Sequence, residues 1–391
     1  YHANYVLKDV VRQTDIIYSS TLSAQSGCEV YLKTENLQIT GSFKVRGAYY
    51  KISQLTDEEK RHGVVACSAG NHAQGVALAS KKFGIKAVIC MPDGAPISKV
   101  EATKSYGAEV VLVPGVYDDA HNYSEKLREE KGYTFIHPFD DEDVIAGQAT
   151  IGLEIINQLK DVDVIVVPVG GGGLLSGVAY AVKSLNPKIK VYGVQSAGAP
   201  SMIQSLEHKK IEMLPSVSTI ADGIAVKEPG IHTFEICGKY ADGVVSVTDD
   251  QVCAAILALI EKQKMIAVAL AAGMYGKIPN VKGKKVVCLI SGGNIDVTIL
   301  SRVINRGLLM GGRTATLTVE LMDKPGQLVA VSAIIAGCGG NVIGVLHERS
   351  NEGSDVNGCY LRLTIETRDF AHIREIENKL KESGFKLLDQ K

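Results

Sequence analysis

The chain has 391 residues, 46% of them hydrophobic and 22% charged, and a formal net charge of −1. That length allows two or three domains with cores of their own, and the near-neutral balance gives no electrostatic footprint for nucleic acid or an anionic membrane. No apolar stretch reaches the ~18 residues of a spanning helix, and the start Tyr1-His2-Ala3-Asn4-Tyr5 lacks the basic and apolar regions of a secretion signal.

Short β-branched runs alternate with amphipathic stretches, the pattern of an α/β protein with mostly parallel strands. In chain order the pattern predicts a strand at Val64–Cys67, a helix at Ala73–Phe83, a strand at Ala87–Met91 and a helix at Ser98–Tyr106. A strand at Glu109–Val113 and helices at Ala120–Lys131 and Ile145–Leu159 follow. Then come strands at Val164–Val167 and Val191–Val194, a helix at Gln251–Gln263 and a strand at Lys285–Ile290. Several strands end in glycine-rich turns that open a helix, where open α/β sheets place their ligands. Residues 1–310 read as one catalytic unit, with a smaller lobe of about residues 40–140 inserted in a larger one.

Around Met310-Gly311-Gly312-Arg313 the pattern changes. A strand at Thr314–Glu320, a turn at Asp323-Lys324-Pro325-Gly326 and a helix at Leu328–Ala336 are expected. Strands at Asn341–Glu348 and Gly358–Thr367, a helix at Phe370–Ser383 and a strand at Phe385–Leu388 complete β-α-β-β-α-β. Residues 311–391 are therefore expected to form a separate regulatory domain.

The chemistry centres on Lys44, in Gly41-Ser42-Phe43-Lys44-Val45-Arg46-Gly47-Ala48. Ser42 can cap a helix here, Phe43 offers a face to an aromatic cofactor, and Gly41 and Gly47 let backbone approach closely. The run Gly170-Gly171-Gly172-Gly173-Leu174 joins an apolar strand to a helix, so its N–H groups form an anion cradle without a basic side chain. No Lys-Ser or Lys-Thr follows, so it is not a Walker loop. Ser68-Ala69-Gly70-Asn71-His72 is a second strand-to-helix junction, fit to bind an α-carboxylate. His72 is a candidate general base, although a histidine at a helix start is more often structural. Ser291-Gly292-Gly293-Asn294 is the third junction. Amine, phosphate cradle and carboxylate site together suit pyridoxal phosphate (PLP) held as a Schiff base. Eight scattered cysteines (28, 67, 90, 237, 253, 288, 338, 359) show no Cys-x-x-Cys, which suggests reduced thiols in a cytoplasmic protein and no metal site.

These motifs resemble the fold-type II PLP enzymes, which have two open α/β lobes like the tryptophan synthase β chain. Within them the chain is similar to the threonine/serine dehydratases; Ile145-Ala146-Gly147-Gln148 and Ala221-Asp222-Gly223 also fit. Asp323-Lys324-Pro325-Gly326-Gln327-Leu328 and Gly340-Asn341-Val342 resemble an ACT domain, a ferredoxin-like fold, and the combination resembles the ACT-containing biodegradative threonine ammonia-lyases. The resemblance implies that Lys44 carries the Schiff base and acts at the substrate Cα, Phe43 packs on the ring, and Asn71 bonds the ring hydroxyl. It also implies that Gly170, Gly171, Gly172, Gly173 and Leu174 hold the phosphate and that Ser291 meets the pyridine nitrogen. Water would be eliminated from L-threonine, and from L-serine, giving a 2-oxo acid and ammonia. An amino-acid effector would meet Pro325, Gly326, Gln327 and Asn341, in a homodimer or homotetramer.

Serine racemases are the nearest rival reading, but they resemble this chain with a serine where Ala69 stands, and a methyl group cannot transfer a proton. Their divalent-metal carboxylates would fall near Gln195 and Ser201, which are neutral. Cysteine synthases differ more, with Thr-Ser-Gly-Asn-Thr-Gly in place of Ser68–Gly75. A non-catalytic amino-acid sensor with a decayed PLP fold would not need intact Lys44, Asn71, tetraglycine and Ser291.

Overall fold

A computed structural model describes residues 1–263, 271–272, 275–295, 297–349 and 358–388. The chain divides into two compact units, Tyr1–Leu300 and Ser301–Lys391. The strands of the first are β1 (Ile16–Tyr18), β2 (Glu29–Lys33), β3 (Val64–Cys67), β4 (Ala87–Pro92) and β5 (Glu109–Val113), then β6 (Thr134–Phe135), β7 (Val164–Pro168), β8 (Lys190–Ser196), β9 (Gly243–Val247) and β10 (Lys285–Leu289).

They form two sheets. The larger has the order β1-β2-β10-β7-β8-β9, parallel throughout except for the antiparallel β1 at its edge. The smaller is wholly parallel, β5-β4-β3-β6, and lies between β2 and β7 in sequence. Parallel strands covered on both faces read as continuous apolar runs, and every residue of β7 and of β3 is buried. Each sheet has its own core: Ile151, Ile155, Ile165, Val167 and Leu175 in the larger, Ile52, Val76, Ile89 and Met91 in the smaller. No described helix is long and apolar enough to cross a membrane.

The predicted strands and helices of this unit are present, with ends displaced by about a turn at most. Strands β1, β2, β6 and β9 were not foreseen. Of these, β2 pairs with β10 beside the centre of the large sheet. It ends in Lys33, a residue type rarely buried in full, which the fold buries completely.

Four helices position the site: α1 (Lys44–Gln54), α2 (Asn71–Phe83), α3 (Glu142–Gln158) and α4 (Gly173–Leu185). Helix α1 packs between α2 and α3. It meets α3 through two glycines: a methyl at Gly147 would fall 2.6 Å from the Arg46 carbonyl oxygen and the Gly47 Cα. That contact accounts for the glycine of Ile145-Ala146-Gly147-Gln148. From the same helix Arg46, wholly buried, donates to both oxygens of Glu35 at 2.8 Å and to Glu154 Oε1 at 2.6 Å. Lys33 Nζ completes the cluster, 2.6 Å from Glu154 Oε2 and 2.7 Å from the Thr14 carbonyl oxygen. Burial alone would raise the Glu35 pKa, but the Arg46 charge and hydrogen bonds, with a further bond from Thr14, outweigh it and hold the carboxyl below its ordinary value. Two cations balance two anions, so no charge within this cluster is left unpaired.

The second unit contains β11 (Thr314–Met322), helix α5 (Gln327–Gly337), β12 (Asn341–Glu348), β13 (Gly358–Glu366), helix α6 (Phe370–Glu382) and β14 (Lys386–Leu388). This is the expected β-α-β-β-α-β run, in an antiparallel sheet of order β12-β13-β11-β14. Its core includes Leu317, Val319, Val331, Ile335, Leu361 and Ile376. The pairing of Met322 with Gly358 puts the turn Asp323–Gly326 at one end of the sheet. Asn341, paired with Glu366, starts at the other.

Candidate active site

Helix α1 begins at Lys44, and Phe43 occupies its cap position with no side-chain hydrogen bond. Ser42 does not cap the helix, contrary to expectation; its Oγ is buried without a partner. The reason is that the main chain before the helix is tied to the loop after β10. Ser42 pairs with Gly292 in an isolated bridge, the Phe43 N–H donates to the Ser291 carbonyl at 3.0 Å, and Gly293 donates to Gly41 at 3.0 Å. Two motifs far apart in sequence are thus one piece of structure. Lys44 Nζ donates to the Pro138 carbonyl at 2.6 Å and sits 5.4 Å from the Phe43 ring centroid. Burial lowers its pKa from 10.5 to about 8, so the amine keeps an appreciable neutral fraction near neutrality.

The tetraglycine run connects β7 to α4. Gly172 has φ +102°, a backbone state that favours glycine, and a Cβ on Gly171 would lie 2.4 Å from the Phe139 ring. Only glycines keep this turn narrow, with the first N–H groups of α4 at its end. Leu174, next in line, is 5% exposed and packs in the core of the larger sheet.

The junction Ser68–His72 brings a second helix start to the same place. Helix α2 begins at Asn71, and the Gly70 N–H donates to Ser68 Oγ at 3.2 Å. Asn71 Oδ1 accepts from Asn294 Nδ2 at 2.7 Å, which leaves the Asn71 Nδ2 hydrogens as its donors. His72 is buried, and its Nε2 donates to the Ile136 carbonyl at 2.8 Å. Its Nδ1 has no partner. Burial, then the nearby Lys44 charge, lowers its pKa to about 3, so His72 is neutral and too weak a base to hold a proton at physiological pH.

All three junctions line one cavity of about 880 Å³. Phe43, Lys44, Ser68, Ala69, Gly70, Asn71, His72, Gly170, Gly171, Gly172, Leu174 and Ser291 face it; Gly173 lies behind, at the start of α4. Sequence reasoning missed the segment His137-Pro138-Phe139, which also lines the cavity and holds the Lys44 amine. Its preceding strand, β6, has two residues, too few to show a period. The His137 ring accepts the Phe139 and Asp140 N–H groups at Nδ1, 3.2 and 2.7 Å away, and burial lowers its pKa to about 4. At the cavity edge Lys99 pairs with Asp222 at 2.6 Å and Lys227 with Asp118 at 3.3 Å. Gln195 and Ser201 are both fully buried and neutral, with the Ile203 N–H donating to Gln195 Oε1 at 3.0 Å. The effector candidates are not brought together: Pro325, Gly326 and Gln327 follow β11 at one end of their sheet and Asn341 opens β12 at the other.

The cavity suits PLP on its own geometry. One desolvated amine can bond to an aldehyde, one glycine-walled helix start can take a dianion, and an amide with free donors faces the same space. A second helix start remains for an amino-acid carboxylate.

Known proteins point the same way. An L-threonine ammonia-lyase of Thermotoga maritima is 49% identical over 388 residues, 98% of this chain and 97% of that one. The processed form of threonine deaminase isoform 2 from Solanum lycopersicum superposes with a TM-score of 0.75 at 40% identity, over 78% of this chain and 85% of that one. Maize serine racemase superposes at 0.74 with 35% identity, over 79% and 96%. Residues 7–292 match the family described as pyridoxal-phosphate dependent enzyme. With the Lys44 amine, the glycine turn and Asn71 inside that span, the chain belongs to the pyridoxal-phosphate dependent enzymes.

Proposed function

We infer that the chain is an L-threonine ammonia-lyase, converting L-threonine to 2-oxobutanoate and ammonia, with L-serine a second substrate that gives pyruvate. The observation that carries this is Lys44: a desolvated amine between a glycine phosphate cradle and a second, carboxylate-sized helix start. Near-full-length similarity to the Thermotoga maritima enzyme supports the choice of substrate.

PLP, when bound, supplies the electron sink that acidifies the α-hydrogen of an amino acid. The N–H groups of Gly170 to Leu174 and the start of α4 would hold its phosphate, Phe43 would pack against its ring, the Asn71 amide would donate to its phenolic oxygen and Ser291 would meet its pyridine nitrogen. The Ser68–His72 junction binds the substrate carboxylate. Lys44 Nζ takes the proton from the substrate Cα, a task suited to an amine with a pKa near 8. Loss of the β-hydroxyl as water and hydrolysis of the resulting imine then yield the 2-oxo acid and ammonia. Ala69, at the cavity wall, has no proton to transfer, which favours elimination over the racemase reading.

We also propose that residues 311–391 are an ACT-type regulatory domain that binds an amino-acid effector. The β-α-β-β-α-β order and the glycine turn into α5 support this, as does the edge strand β12, where Ile343 and Val345 are about half exposed. Two edge strands paired antiparallel would bring Asn341 of one copy beside the 325–327 turn of a second, so the reading includes a homo-oligomer.

The test is Lys44→Ala, assayed for 2-oxo acid from L-threonine. Turnover should vanish, and borohydride reduction of the wild type should leave the pyridoxyl label on Lys44. A label on another lysine would overturn the assignment. Truncation after Gly311 should leave a PLP-loaded catalytic unit without effector response; a full response in the truncated protein refutes the regulatory reading.

A further inference from the structure

A second cluster of reactive side chains lies in the unit Ser301–Lys391, outside the cavity. Strand β13 is flanked by β11 on one side and β12 on the other. At one end of this sheet Asp323 follows β11, His347 lies near the end of β12 and Cys359 is the second residue of β13. Leu321 pairs with Cys359 and His347 with Leu361, so Asp323 and His347 lie about two residues to either side of the Cys359 level, and a carboxylate and an imidazole reach the thiol diagonally from opposite neighbours. Their ligand atoms all lie within 4.8 Å of one another.

Each side chain is placed as a ligand would be. Asp323 gives Oδ2 to Arg349 Nε at 3.0 Å and turns Oδ1 toward His347 Nε2, 3.9 Å away. Cys359 is 2% exposed, whereas the His347 and Asp323 side chains are 43% and 35% exposed. The cluster is therefore sealed on the sulfur side and open on the other. A partly exposed histidine on an edge strand needs no explanation by itself. One that converges with a buried thiol and a half-occupied carboxylate does.

We propose that Asp323, His347 and Cys359 bind a borderline-soft divalent cation, zinc in the first instance, with water in the remaining position. One sulfur, one nitrogen and one oxygen donor suit zinc and not magnesium or calcium, which take oxygen ligands. Tetrahedral zinc ligands of these types stand roughly 3.3 to 3.7 Å apart at the usual bond lengths. Small side-chain rotations of the two exposed residues close the present separations to that value. Binding exchanges the Cys359 S–H proton for the metal, and the proton leaves to solvent. Thiolate, carboxylate and Arg349 then sum to one negative charge, which the cation offsets. The ion would pin together the ends of β11, β12 and β13. No sequence motif announces the site, because its ligands come from three separate elements.

The test uses the full-length, PLP-loaded protein, stripped of metal by chelator and titrated with zinc against a chromogenic competitor. One equivalent should bind, and X-ray absorption should find one sulfur among the zinc neighbours. His347→Asn, an exposed substitution that leaves the core intact, should weaken zinc by at least about tenfold, as should Cys359→Ser. Threonine turnover without effector should persist in His347→Asn. The proposal is overturned by absence of binding at micromolar zinc, by a zinc shell without sulfur, or by unchanged affinity in folded His347→Asn.

Discussion

The amide of Asn294 donates to Asn71 Oδ1 at 2.7 Å and, from the same nitrogen, to the Thr40 carbonyl at 2.9 Å. The loop after β10 therefore sets the orientation of a side chain that opens α2. Because Oδ1 is turned toward Asn294, the Asn71 amide is oriented with its N–H groups free for a ligand. In Asn294→Ala that amide is free to turn. Losing one orienting hydrogen bond is worth about 1 kcal/mol, so PLP should dissociate about fivefold more readily while the protein remains folded. Equilibrium titration of the cofactor-free protein checks this; an unchanged dissociation constant would remove Asn71 from the proposed contacts.

Lys44 should react as an amine with a pKa of about 8. In cofactor-free protein, the rate of adduct formation with a small aldehyde should rise through a midpoint near pH 8 and not near 10.5. The same shift has a stability consequence of definite sign. Between pH 8 and 10.5 the unfolded chain holds a proton that the folded chain has released. This group therefore makes the cofactor-free protein more stable as pH rises through that window. Denaturant midpoints of wild type and Lys44→Met across the window measure the difference. Parallel curves would show that the amine is better solvated than its burial implies.

Arg46→Met strands the Glu35 carboxylate and leaves Glu154 with Lys33 alone. Removing one partner of a buried ion cluster costs about 3–5 kcal/mol, so the variant should melt well below wild type or fail to accumulate. The pH dependence follows from Glu35, whose folded pKa lies below its ordinary value. Its contribution is present above the unfolded carboxylate range and is lost as pH falls through the folded value. Wild type should therefore lose stability in acid more steeply than a folded Glu35→Gln protein. Equal acid limbs would count against the cluster as the source.

Ala69→Ser places a hydroxyl on the cavity wall. If the methyl is what prevents proton delivery from that side, the variant should raise the ratio of D-serine to pyruvate formed from L-serine. A folded, PLP-loaded variant with the wild-type ratio would mean that this face is controlled elsewhere.

Much of this was legible in sequence because the ligand-binding turns are runs of glycine and small polar residues between apolar strands. Such turns announce themselves through composition. What escaped was of two kinds. Pro138, whose carbonyl holds the Lys44 amine, acts through its main chain, and composition does not report which carbonyl points where. Lys33, Glu35, Arg46 and Glu154 are charged residues whose burial depends on meeting each other, a property of pairs distant in the chain. Ser42 shows the opposite error: a residue well suited to a local cap was taken by a distant strand-like bridge.

The position of that charged cluster bears on how variants of this enzyme should be interpreted. Arg46 lies two residues from Lys44 on one helix, yet neither Glu35 nor Glu154 lines the cavity. A survey of random substitutions scored by product alone would flag both acids as strongly as the reacting amine. Thermal midpoints of the cofactor-free proteins would separate them: inactive Glu35 or Glu154 variants melt well below wild type, and inactive Lys44 variants do not.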